Sequence, residues 1–91
     1  MHELSIALSL VELASDELAR LGDVRLHAVH VRVGARSGVV SDALRFSFDV
    51  AANGTPVAGA TLEIEEVADS PELQLRGLEV FDREPANRRS T

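Results

Sequence analysis

Ninety-one residues, 45% of them hydrophobic and none of them cysteine, describe one small domain with a thin core. They exclude disulfides, thiolate metal sites and a cysteine nucleophile. With no Trp, no Tyr and three Phe the core must be aliphatic, and a net charge of −6 with so few aromatics argues against nucleic acid as a partner.

The first predicted element is a helix over 4–21. Leu4, Ala7, Val11, Ala14, Leu18 and Leu21 recur at spacings of three and four, with Ile6, Leu10 and Leu13 widening the face. Asp16 and Arg20 are placed to pair one turn apart, and Gly22 stops the helix. The segment has no basic leader and no uninterrupted apolar run. No membrane contact is expected, and the cytoplasm is the expected location.

Val24–Gly34 is rich in valine and reads as a strand. A loop follows, and Ser41 is placed to cap a second helix over 42–53. Leu44, Phe48 and Ala51 line its stripe, Phe46 and Val50 lie beside it, and Asn53-Gly54 ends it. Thr61–Val67 alternates and reads as the second strand, and Pro71 breaks the ladder in the turn at 68–72. The third strand, 73–81, slips in phase between Leu73, Leu75 and Leu78, Val80. A bulge at Arg76-Gly77 would return all four to the core side. Residues 82–91 are expected to be disordered.

The fold class is therefore α+β, in the order α-β-α-β-β. Two helices lie on one face of a small three-stranded mixed sheet, a two-layer sandwich. The β-α-β unit predicts a right-handed parallel crossover, and the last two strands are expected to pair as an antiparallel hairpin. Residues 1–81 make the domain.

The terminus Met1-His2-Glu3 carries the sharpest chemistry. The α-amine, the His2 amide nitrogen and His2 Nδ1 can close two fused chelate rings in one plane. Ni(II) and Cu(II) favour such a field of nitrogens, and Zn(II) does not. The fourth position stays open to Glu3, another histidine or a partner. The amine and the imidazole must lose protons to bind, so acid weakens the site. Read as structure alone, His2 merely precedes or caps the helix.

Three segments then point to a family. The sequence MHELSIA at the start, VHVRVGARSGVVSDALRFSFDVAANGT, and GATLEIEEV resemble the HypA/HybF family of nickel metallochaperones for hydrogenase maturation. The resemblance runs through Val67. It implies an α/β nickel-binding domain in which Met1 and His2 hold Ni(II) with Glu3 close by. It also implies a HypB-like GTPase and the large subunit of [NiFe]-hydrogenase as partners, and urease as a further client in some bacteria. Members of that family carry a zinc domain on two CxxC pairs between the second and third strands. This chain has no cysteine, so no structural zinc is expected and the turn at 68–72 stands in that module's place.

The remaining candidates are weaker. His27 and His30, three apart, fall on opposite faces of a regular strand. Glu63, Glu65 and Glu66 read as a solvated acidic strip. Ser37-Gly38 reads as a turn, not a phosphate loop. No catalytic constellation is visible, and an enzyme is not expected. The reading is a nickel metallochaperone, with two alternatives: a metal-free adaptor that binds the GTPase or the hydrogenase subunit, and a Cu(II) buffer. Monomer and homodimer both stay open, since an exposed sheet edge offers a place for a second copy.

Overall fold

A computed structural model describes residues 2–82. Helices α1 (Glu3–Leu21) and α2 (Ser41–Ala52) pack on one face of a sheet of β1 (Val24–Gly34), β2 (Thr61–Val67) and β3 (Leu73–Asp82). The class and chain order are those expected. The expected tail lies outside the described residues, except for Asp82, which ends β3.

The buried stripe of α1 is Ala7, Leu10, Val11, Ala14 and Leu18, at helical spacing. Leu4, Leu13 and Leu21 lie on its shoulders, each about half exposed. Gly22 closes the helix at φ 90°, where a side chain would be strained, and its N–H donates to the Leu18 carbonyl. Arg20 pairs with Glu17 rather than with Asp16. On α2 the buried residues are Leu44, Phe48 and Ala52. Ala51 is only partly covered, and Phe46 and Val50 face outward, with Phe46 71% exposed. At 100° per residue those two fall on the side of α2 away from Leu44 and Phe48.

The sheet order is β2-β1-β3. β1 and β2 are parallel, with α2 in the crossover. The expected hairpin does not form: β3 is antiparallel to β1, not to β2. β1 is the most apolar strand, with Val29, Val31 and Val33 buried, and the central position lets it pair on both edges. The connection 68–72 is thus a strap that steps across the end of β1. Gly34 N–H donates to the Glu72 carbonyl at 2.7 Å, Ala35 N–H to that of Val67 at 2.8 Å, and Arg36 N–H to that of Ser70 at 2.8 Å. A Cβ on Gly34 would lie 2.1 Å from the Ser70 carbonyl oxygen, so only glycine fits beneath the strap.

The bulge expected at Arg76-Gly77 is present. Val31 pairs with Leu75 and His30 with Gly77, leaving Arg76 as the extra residue. Leu73, Leu75, Leu78 and Val80 all pack against the core. A second bulge, at His27, has no clear mark in the sequence: Leu26 pairs with Val80 and Ala28 with Glu79. It switches the inward residues of β1 from Val24 and Leu26 to Val29, Val31 and Val33.

Candidate metal-binding end

Short links place four segments at one end of the molecule. α1 is joined to β1 through Gly22 and Asp23 alone, so the start of α1 lies over the far end of β1. α2 begins at that same end, and the strap crosses it. The side chains tie these pieces together. Glu3 is buried at 7% exposure, and its Oε2 accepts the Val40 N–H at 3.0 Å. Val40 is the N-cap residue of α2. The Ser41 hydroxyl donates to Glu66 Oε2 at 2.6 Å, near the end of β2. Ser41 is therefore the first residue of α2 and not its cap, and the carboxylate at the cap comes from α1.

The electrostatics favour this arrangement. Two helix N-termini, each carrying partial positive charge, meet at this end. The Glu3 and Glu66 carboxylates offset them. The charged amino terminus, the Val40 N–H and Glu3's own N–H hold the Glu3 carboxyl at about 2, against 4.5 ordinarily, and burial opposes them only in part.

Met1 lies outside the described residues. His2 is exposed at the N-cap of α1, where its side chain makes no cap bond, while its carbonyl accepts the Ile6 N–H at 3.1 Å. Among the described residues the imidazole has no hydrogen-bond partner, which leaves Nδ1 available toward the chain's own start. The Glu3 carboxylate is committed to α2. Its bond with the Val40 N–H uses Oε2 and sets the carboxylate at the start of α1, beside His2.

His27 and His30 are not on opposite faces. The bulge at His27 puts both on the open face of the sheet. There His27 lies 5.2 Å from the ring of Phe81, and His30 Nε2 lies 3.1 Å from Glu79 Oε1. Glu65 on this face accepts from Arg32 at 3.4 Å. Among the described residues no three His, Asp or Glu side chains converge as a metal would need. With no cysteine in the chain, the donor set for a structural zinc of the CxxC kind does not exist here.

The sequence reading missed the anchoring role of Glu3 and the contacts of Val40 and Ser41 with it and with Glu66. The phase of Glu3 with Ala7 and Leu10 was a usable signal, since it puts the carboxylate on the buried stripe. Its charge argued the other way.

Comparison with known proteins gives the family. The family model described as "Hydrogenase/urease nickel incorporation, metallochaperone, hypA" matches residues 1–72, and the chain belongs to this HypA family. A hydrogenase maturation factor HypA from Chloroflexus aurantiacus is 64% identical over 67 residues, covering 74% of this chain and 59% of that protein. One from Roseiflexus sp. is 61% identical over 67 residues, covering 74% and 54%. One from Deinococcus radiodurans is 48% identical over 77 residues, covering 85% and 64%. The chain thus spans less than two thirds of the length of these relatives. The solution structure of the Ni metallochaperone HypA from Helicobacter pylori shares the fold with TM-score 0.63, at 24% identity, covering 85% of this chain and 72% of that one.

Proposed function

We propose that this chain is a nickel metallochaperone that takes up Ni(II) at its amino terminus for maturation of [NiFe]-hydrogenase. Three nitrogens hold the ion: the Met1 amine, the His2 amide and His2 Nδ1. Glu3 stays beside them as a fixed negative charge. The observation that carries this reading is the exposed, uncapped His2 at the start of α1, in a chain that belongs to the HypA family. A planar set of nitrogens with one position open suits a carrier, because the receiving protein can add its own ligand before the ion leaves. The partners on this reading are a HypB-like GTPase and the hydrogenase large subunit, with urease a further client, all in the cytoplasm. The chain acts as a carrier without catalysis and without structural zinc.

The test is a Ni(II) titration of untagged protein at neutral pH beside His2→Ala. The reading predicts a square-planar absorption band that saturates at one ion per chain and vanishes in the variant. A wild type that binds no nickel overturns it. An adaptor that binds the same partners without metal is favoured by a different feature, the exposed Leu4 and Leu8 of α1 and Phe46 and Val50 of α2. Full partner binding by His2→Ala with no maturation defect would select that alternative.

A further inference from the structure

The sheet has two edges, and they differ in a way that bears on self-association. β2 offers Glu63, Glu65 and Glu66, all exposed, and no basic residue. Pairing β2 with a second β2 brings glutamates together, which is repulsive. β3 is different. Its inward residues Leu73, Leu75, Leu78 and Val80 are all only partly buried, while Leu62 on β2 and Val29, Val31 and Val33 of β1 are buried and Ile64 on β2 is partly so. An open groove runs between β3 and α1, with Leu13 on its far side. Arg76, exposed at the bulge, has no hydrogen-bond or ion-pair partner among the described residues. Glu79, whose Oε1 lies 3.1 Å from His30 Nε2, stands three residues along the same edge strand and is half exposed.

We propose that two copies of this chain join edge to edge through β3, making one six-stranded sheet. The chemistry of the edge selects the register. A two-fold axis through Leu78 sets Leu78 against its own copy, Gly77 against Glu79, and Leu75 against Val80. Inward residues then meet inward residues, and outward residues meet outward ones. A bulge ordinarily discourages edge pairing. Here the extra residue Arg76 falls once on each side of the axis, and the second copy repeats the pattern β3 already makes with β1, where Gly77 and Leu75 face His30 and Val31. Each Arg76 comes to stand beside Glu79 of the second copy, giving two ion pairs related by the axis. The partly covered leucines of both copies close over the groove.

The test is sedimentation velocity on the full chain over a range of concentrations, with Arg76→Glu and the double variant Arg76→Glu/Glu79→Arg. The wild type is expected to form dimers as concentration rises. The single variant should weaken association by on the order of tenfold or more, because it sets two like charges together, and the double variant should restore it. A wild type that stays monomeric to millimolar concentration overturns the proposal. So does a dimer indifferent to Arg76→Glu, or one that Phe46→Ser on the outer face of α2 dissociates. Amide exchange reads the same point without substitution: outward N–H groups of β3 should slow with concentration while those of β2 do not. Equal slowing of both edges, or of neither, counts against the proposal.

Discussion

Glu3 is a charged residue on the buried stripe of a helix, and it is held there by what it binds. Its carboxyl titrates near 2 in the folded chain and near 4.5 when unperturbed. A depressed carboxyl stabilises the fold above its ordinary value, and that contribution is lost as pH falls from about 4.5 through 2. Glu3→Gln, which resembles the protonated acid, should be less stable than wild type at neutral pH. The gap should close on acidification, as denaturant melts at a series of pH values would read. A gap that is constant with pH would mean that packing, not charge, sets the role of Glu3. Phe48 and Phe46 make the second comparison at this scale. Phe48 is fully buried and Phe46 is 71% exposed. Phe48→Ala should cost roughly 3–5 kcal/mol, while Phe46→Ala should stay within about 0.5 kcal/mol. Urea denaturation of the two variants measures both. The periodicity of α2 marked Phe48 correctly but put Phe46 beside the same stripe, because a short apolar run gives a broad arc and the sheet covers only part of it.

At the scale of the elements, the strap at 68–72 is the most constrained piece. Gly34→Ala should destabilise the domain by roughly 1–3 kcal/mol, since the added methyl meets backbone and not a movable side chain. Equilibrium unfolding compares the variant with wild type, and an unchanged midpoint would show that the strap shifts at little cost. The spans of all five elements were legible in the sequence, because valine-rich alternation and the three-four spacing of α1 are local signals. Strand order was not. Neighbouring strands joined by a short turn usually pair, and nothing local distinguishes a turn that folds back from a strap that crosses over. The same limit applies to the two bulges. Arg76 was marked by the slip between Leu75 and Leu78. His27 was not, because Val24, Leu26, Val29 and Val31 read as an apolar run in either phase, and with it went the true placement of His27 and His30.

At the scale of the whole molecule, closure depends on backbone hydrogen bonds from Gly34, Ala35 and Arg36 to the end of β2 and the strap. A chelator that strips zinc should therefore leave the melting temperature of the protein as isolated unchanged. A fall in the melting temperature, or zinc retained at one ion per chain by elemental analysis, would contradict a metal-free closure. The proposed terminal chelate rests on chemistry read from Met1 and His2 alone. The supporting contacts, Val40 with Glu3 and Ser41 with Glu66, were not legible in the sequence, because they join residues 37 and 25 positions apart in the chain, and only the fold makes them neighbours.

The crossing of β1 by the strap also sets a rule for grafting. The ladders fix Val67 and Leu73 on opposite sides of β1, about two strand spacings, or roughly 10 Å, apart. Any insert spliced between them, of whatever size, needs only termini that meet that separation. It will emerge at the end of the molecule where α1 begins. The five-residue strap is in effect a plugged port, and what is fitted there becomes a neighbour of the start of α1, where nickel uptake is proposed.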